Sequence, residues 1–201
     1  MKAKDFPKDG IYNIIELAYH IPDFVLQIDI FPDLVAVLGV KNIFTEFKKL
    51  LRLKSDSPHR LGYDTTFECG DFYVSPLIFT HVLFENDPII PLAFLIHDRK
   101  LETSHQRFFE ILLQKIPQLA GAVIPIITDR ERAIKNVIGK VLPSLKNLSC
   151  WNHLRQDLRI FLRQCGARPD EISVYGEALL TILDTEHEDN YEEVCHDQTL
   201  K

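Results

Sequence analysis

Residues 61–82 decide the fold class, and their sequence is LGYDTTFECGDFYVSPLIFTHV. Over residues 61–69, apolar and polar side chains alternate, which is the period of a half-buried strand. Gly70 and Asp71 carry a hairpin-type turn signal, and residues 72–82 return with valine, isoleucine and aromatic side chains that favour a strand. This stretch therefore predicts two antiparallel strands joined by a tight turn.

The chain downstream of this hairpin adds a third strand and then alternates between helices and strands. Residues 89–96 form a nearly unbroken apolar run, which is typical of a strand covered on both faces. A helix ending near Pro117 follows. An apolar strand predicted at 123–128 and a short strand predicted at 147–151 each precede a further helical pattern. The order βββαβαβα predicts an α/β fold with a mixed five-stranded sheet. In this sheet a three-stranded antiparallel meander is followed by alternating helices and strands, with helices on both faces.

The sequence divides into three segments around this core. Residues 1–55 mix short apolar segments with turn signals, and we expect a helical and strand-containing lead-in packed on the core. Residues 56–165 form the core itself. Residues 166–201 begin with a break, continue with a helical pattern over 174–183 and end in an acidic tail. The tail has too few apolar side chains to pack by itself, so we expect it to be flexible.

Composition limits the classes of function. The 201 residues carry a net charge of −6, so this chain alone is not expected to grip duplex DNA through clustered basic side chains. DNA chemistry at an acidic site that recruits divalent cations remains compatible with this charge. No apolar run reaches the length of a membrane span, and four scattered cysteines do not make a disulfide scaffold. These features predict a reduced protein that is not secreted and has no membrane partner.

Asp64 and Asp129 are the candidate site residues. Asp64 lies in the first core strand and Asp129 ends the fourth, so parallel pairing of these strands would bring two remote carboxylates to one edge of the sheet. Paired carboxylates can share divalent cations, which activate water and stabilise a leaving oxygen. Mg²⁺ suits such all-oxygen, partly hydrated sites.

Each aspartate also has a purely structural explanation, and the residues alone leave both open. Asp64 could be a buried strand aspartate that bonds Thr65 or Thr66. Asp129 could be a helix N-terminal acid favoured by the helix dipole, beside a capping box formed by Thr128 and Glu131.

Three ordered blocks of the sequence, YDTTF at 63–67 with GDFYVSPL at 70–77, ITDRERAI at 127–134 and CWNH at 150–153, together resemble the catalytic domain of Mutator-like (MULE) transposases. The segments YDTTF at 63–67 and GDFYVSPL at 70–77 resemble the family's first-aspartate block. The segment ITDRERAI at 127–134 resembles the second-aspartate block, and CWNH at 150–153 matches the Cys-x-x-His element. Together the blocks form a fairly specific signature that spans most of the chain.

This resemblance implies a ribonuclease H-like fold of the Asp-Asp-Glu superfamily, which cuts and joins DNA. Asp64 and Asp129 would be its first two catalytic, metal-binding carboxylates, with Mg²⁺ or Mn²⁺ as the cofactor. The family's third acid, a glutamate, normally follows a helical insertion well beyond the Cys-x-x-His element. Residues 166–201 would be only the truncated start of that insertion, so we expect an incomplete fragment whose third carboxylate is unknown. The glutamates that fall in this segment are Glu177, Glu186, Glu188, Glu192 and Glu193.

Cys150 and His153 form the Cys-x-x-His element that the resemblance places near the active site. Their spacing is also that of metal ligands, and Cys195 with His196 could nominally complete a four-ligand zinc set. Adjacent ligands in an acidic tail give poor zinc geometry, so a zinc site is not expected. The structural alternative for Cys150 and His153 is a small buried thiol beside a hydrogen-bonded imidazole.

Two further groups of residues carry weaker signals. His97 follows a strand that runs parallel to the first core strand, so it could approach the Asp64 edge; an ordinary loop histidine is the commoner case, for His105 as well. Arg155, Arg159 and Arg163 are spaced by four residues and make a basic stripe on a helix. The stripe could contact phosphates, although a solvated helix face is the usual explanation.

Two functions fit these observations. The first is a transposase core for metal-dependent DNA cleavage and strand transfer. Such a core would reach transposon ends through a separate DNA-binding domain and would be able to self-associate. It would work in the nucleus or the nucleocytoplasm. The second is a domesticated or relic transposase-derived module that binds partners without catalysis. A small-molecule hydrolase on a doubly wound sheet is disfavoured, because it predicts alternating strands and helices from the start, which the initial meander contradicts.

Overall fold

A computed structural model describes residues 10–53, 59–65, 67–69 and 71–183. The chain divides into two compact units, Met1–Ser149 and Cys150–Lys201. The described strands all belong to the first unit, and the described part of the second unit consists of two helices. Within the described ranges, no helix is both long and apolar enough to cross a membrane.

The first unit is built on one mixed sheet of eight strands. The strands are β1 (Val25–Asp29), β2 (Val35–Gly39), β3 (Leu61–Tyr63), β4 (Phe67–Cys69), β5 (Phe72–Thr80), β6 (Ile89–His97), β7 (Pro125–Thr128) and β8 (Lys146–Ser149). Their order is β1-β2-β6-β5-β3-β7-β8, and β4 pairs with β5 beside this path. The pairs β3·β7 and β7·β8 are parallel, and the other pairs are antiparallel. The meander followed by parallel strands agrees with the predicted α/β class.

The sheet has more strands than the five predicted, because the lead-in contributes two more strands and the first core strand is split. β2 pairs with β6 and β1 pairs with β2, so the lead-in covers an edge of the meander that would otherwise expose unpaired backbone groups. The single strand predicted over 61–69 is two strands, β3 and β4. Its partner register along β5 changes by one residue between the pairs Tyr63↔Leu77 and Phe67↔Val74.

Six helices accompany the sheet in the described residues. They are α1 (Gly10–His20), α2 (Lys41–Leu50), α3 (Glu102–Lys115), α4 (Arg132–Val141), α5 (Trp151–Gln164) and α6 (Pro169–Leu183), with a short 3-10 helix at Pro117–Gly121. The helix predicted from residue 174 begins five residues earlier, at Pro169, because the fixed φ of proline suits the first helical turn. The strand predicted to reach residue 151 ends at Ser149, and α5 begins at Trp151.

Helices cover both faces of the sheet, as alternation along β2 shows. Val35 and Val37 belong to the main core cluster, which also holds the buried apolar side chains of α2, α3 and α4. Leu34 and Ala36 belong to a smaller cluster with Ile14 of α1. Since successive strand residues point to opposite faces, α1 lies on one face and the other three helices lie on the second face. All five residues of β2 are therefore buried.

Candidate functional site

The parallel pair β3·β7 brings Asp64 and Asp129 to the same edge of the sheet. The last paired residues of the two strands are Tyr63 and Thr128, which lie opposite each other. Asp64 and Asp129 are the next residues of the two chains, and both side chains are partly exposed. Neighbouring strands lie about 4.8 Å apart, so the two backbones are adjacent where the carboxylates leave the sheet. The parallel pairing of these two strands, which the sequence predicts, is present.

Asp64 lies beyond the end of β3 and not in the middle of a strand as predicted. The register along β5 changes between the pairs Tyr63↔Leu77 and Phe67↔Val74, so Asp64 lies in the interval that separates β3 from β4. Such irregularities bend a strand locally and change the direction in which its side chains point, and they are common beside active sites. The alternation of apolar and polar side chains continues from β3 into β4, so this pattern does not indicate that the strand is interrupted.

Hydrogen bonds in the turn after β7 hold Asp129. Its Oδ1 accepts a hydrogen bond from the backbone N–H of Glu131 at 2.9 Å. The Thr128 hydroxyl lies 3.0 Å from Oδ1 of Asn147 on β8. Helix α4 then begins with Glu131 at its N-cap and without a side-chain capping bond. The capping box of Thr128 and Glu131 is therefore wrong, because the carboxylate of Asp129 itself accepts an N–H of the turn.

Glu131 is a third acid beside Asp64 and Asp129. The sequence analysis did not identify it as a site residue. Burial raises the pKa of its carboxyl group, and the negative charges of Asp129 and Asp64 raise it further, against the opposing charge of Lys100. Its partly buried side chain thus feels both aspartates. The signal available in the sequence was its position two residues after Asp129, in the turn that the strand end creates.

A buried polar network lies next to Asp64. The Thr65 hydroxyl is 2.9 Å from the Ser75 hydroxyl, which is 3.0 Å from Nε2 of His97. The Tyr63 hydroxyl is 2.7 Å from Nδ1 of His105. The Thr65 hydroxyl, one of the two partners that the structural explanation of Asp64 offers, bonds Ser75. Thr66, the other, lies outside the described residues, so that explanation stays beside the functional one.

Burial controls the ionisation of this network. His97 and His105 are both fully buried. Burial lowers the pKa of His97, and burial together with the positive charges of His97 and Lys100 lowers that of His105 to about 4. Burial raises the pKa of Tyr63 well above its ordinary value, against the lowering effect of a hydrogen bond with Ser75, and the charges of Glu131 and Asp129 raise it a little further. At neutral pH the network is uncharged.

Cys150 and His153 lie in the second unit, at the start of its first described helix. Cys150 is a partly buried free thiol at the N-cap of α5, and His153 is partly buried in the first turn of that helix. Cys195 and His196 lie outside the described residues. Among the residues that the structure describes, no group of three or more histidine, cysteine, aspartate or glutamate side chains is placed to hold a metal ion.

The remaining candidates also belong to the second unit. Arg155, Arg159 and Arg163 line one groove with residues of α6, including an exposed Glu177. The other glutamates considered for the third carboxylate, Glu186, Glu188, Glu192 and Glu193, fall outside the described residues. The third carboxylate therefore stays unassigned.

Comparison with known proteins identifies one family. Residues 60–157, about half of the chain, match the family model of the MULE transposase domain. The matched range contains both aspartates and the Cys-x-x-His element, and the family recognised in the sequence is confirmed. No curated protein matches the chain.

Proposed function

Taking the MULE transposase domain at residues 60–157 as the premise, we propose that this chain is the catalytic core of a DNA transposase, built for metal-dependent cleavage and strand transfer. The observation that carries the proposal is the parallel register of β3 and β7. This register places Asp64 and Asp129 one residue beyond the paired positions Tyr63 and Thr128. Strand ends at one edge are where a sheet can present side chains from distant parts of the chain to one substrate.

The topology supports a ribonuclease H-like arrangement within the larger sheet. The five core strands follow the order β6-β5-β3-β7-β8. Three of them form the antiparallel meander and two are added in parallel by helical crossovers through α3 and α4. The additional strands β1 and β2 extend the meander at the edge opposite β8 and leave the β3·β7 pair unchanged.

The residues at this edge fit a divalent cation, although incompletely. Asp64 and Asp129 offer carboxylate oxygens, which are the ligands that Mg²⁺ and Mn²⁺ prefer. Glu131 adds a third negative charge whose carboxyl pKa is raised by burial and by both aspartates, so a cation at this edge would relieve repulsion. When bound, such a cation supplies activation of the attacking oxygen and stabilisation of the leaving oxygen.

The side chains of this chain then have distinct tasks. Asp64 and Asp129 would hold the cation. The N–H of Glu131 orients one oxygen of Asp129, which fixes the direction in which the other oxygen points. Cys150 and His153 are proposed to act as the family's Cys-x-x-His element. DNA would be reached through a separate domain, with self-association of the transposase, in the nucleus or the nucleocytoplasm.

A second function, a transposase-derived module without catalysis, is favoured by one observation. No group of three potential ligands is assembled among the described residues. A site with only two carboxylates from this chain would bind a cation weakly and leave its coordination unfinished. In this case the fold would serve binding to partners.

Metal titration followed by a cleavage assay separates these possibilities. We expect the chain to bind Mn²⁺ in calorimetric titration, and both Asp64→Asn and Asp129→Asn to lower the affinity by about tenfold or more. Asp71→Asn is the matched control, because Asp71 is an exposed aspartate at the turn before β5. Equal affinity in the wild type and in both site variants would exclude the metal site. Metal binding without nicking of supercoiled DNA would favour the module without catalysis.

A further inference from the structure

The residues on either side of Asp64 are both tied to buried histidines. Tyr63 precedes Asp64 and shares a hydrogen bond of 2.7 Å with His105. Thr65 follows it and is linked through Ser75 to His97. The two imidazole rings contact each other edge to face, with their centroids 5.2 Å apart. The backbone is thus linked to one pair of histidines on both sides of Asp64, through Tyr63 and through Thr65.

The donor and acceptor of each hydrogen bond in the series Thr65–Ser75–His97 follow from the group at the end of the series, the carbonyl oxygen of Arg99. The carbonyl oxygen of Arg99 can only accept, so Nδ1 of His97, at 2.8 Å, carries a proton and donates it. In the neutral ring Nε2 must then accept, and its donor is the Ser75 hydroxyl. Ser75 has thereby used its proton, so its oxygen accepts from the hydroxyl of Thr65. Each hydroxyl has one arrangement, which removes rotational freedom beside Asp64.

The elements that carry this network are rigid. His97 is the last residue of β6 and lies between β2 and β5, where it pairs with Val35 and Tyr73. Ser75 lies in β5 and is fully buried, and His105 is buried in the first turn of α3. Asp64 itself follows the end of β3, where the register changes and the sheet ladder gives less support. The network supplies at this point the restraint that continuous strand pairing would otherwise provide.

We propose that His97 and His105, acting through Ser75–Thr65 and Tyr63 respectively, are positioning residues that hold Asp64 at the sheet edge in the geometry needed for metal binding. This inference rests on the proposed function, since it assigns Asp64 to the metal site. Neither histidine contacts the cation in this account. Groups that orient a ligand in this indirect way commonly affect metal affinity by 10- to 100-fold.

Two measurements on the full chain test the proposal, one of them without metal. Hydrogen exchange of the metal-free protein reports the restraint on the Asp64 and Thr65 amides. We expect Ser75→Ala to accelerate their exchange about fivefold, the factor for losing one ordinary hydrogen bond. We expect Thr65→Val to do the same, and Thr65→Ser, which keeps the hydroxyl, to restore the slow rate. The matched control is Ser104→Ala, because Ser104 is another buried serine and its hydroxyl has no partner in the described residues.

Mn²⁺ affinity is the second measurement. Ser75→Ala and Thr65→Val should weaken binding by about tenfold or more, whereas Ser104→Ala should leave it at the wild-type value. A purely structural role would lower the unfolding temperature of Ser75→Ala, which leaves Nε2 of His97 without its donor, but would leave its Mn²⁺ affinity equal to that of Ser104→Ala. Unchanged exchange at Asp64 in Ser75→Ala, or equal affinities for Ser75→Ala and Ser104→Ala, would overturn the inference while leaving the metal site intact. If exchange accelerates as expected but Asp64→Asn binds Mn²⁺ like the wild type, the metal site is refuted and the positioning role in binding falls with it.

Discussion

Acidification should destabilise this protein through His105. The imidazole is fully buried, and its pKa is lowered from 6.5 to about 4 by burial and by the positive charges of His97 and Lys100. The unfolded chain therefore binds more protons than the folded chain between these two values, so stability falls as the pH falls through this window. For one group with these pKa values, the free energy of unfolding drops by about 2 kcal/mol between pH 7 and pH 5.

Urea unfolding at constant ionic strength measures this effect. We expect His105→Gln to remove about 2 kcal/mol of the pH dependence between pH 7 and pH 5, because glutamine keeps a polar partner for Tyr63 without titrating. His20→Gln is the matched control, since His20 is exposed at the end of α1. It should leave the pH dependence of the wild type unchanged. If His105→Gln and the wild type lose the same free energy on acidification, His105 is not a neutral buried base and the reasoning fails.

Three further substitutions test other parts of the structure. Glu131→Gln should raise the free energy of unfolding at pH 7 by less than about 1 kcal/mol, because burial and the neighbouring aspartates raise the pKa of the native carboxyl group. The gain should vanish in acid, where the native glutamate is already neutral. Phe108→Ala should cost roughly 3–5 kcal/mol in urea unfolding, because this fully buried ring stacks on Tyr63 with the centroids 5.4 Å apart; a loss below 1 kcal/mol would mean that the core collapses around the gap or is packed differently. Arg107→Ala should lower the free energy of unfolding by less than about 1 kcal/mol, and by less still in high salt, because its 3.0 Å ion pair with Asp29 is partly exposed to solvent. A loss that salt leaves unchanged would point to packing by the arginine stem.

The sequence predicted the parallel strand pair and the position of both aspartates at one edge. It could do so because a meander followed by helical crossovers places the fourth core strand parallel to the first, and each of the two strands is followed by an acid. It did not predict the addition of β1 and β2 to the sheet, since short apolar segments in the lead-in give no information about which strand they pair with. The interruption between β3 and β4 was also missed, because the register depends on β5 and not on the local alternation of residues.

The hydrogen-bond network beside Asp64 could not be predicted from the sequence. His97 was considered for the Asp64 edge because the strand before it runs parallel to the first core strand, and the structure places it at the end of β6 with a link through Ser75. Its complete burial, and that of His105, depends on the packing of α3 against the sheet. A histidine in a single sequence looks the same whether it is solvated or buried, so neither the burial nor the lowered pKa could be foreseen.

Anomalous diffraction from crystals of the full chain soaked in Mn²⁺ tests the central claim most directly. We predict a manganese peak within about 2–2.5 Å of one carboxylate oxygen of Asp64 and one of Asp129, at the edge where β3 and β7 end. The same peak should be absent from Asp129→Asn crystals grown and soaked identically. A map at saturating Mn²⁺ in which the metal lies elsewhere, or in which the two carboxylates point to opposite sides of the sheet, would contradict the account.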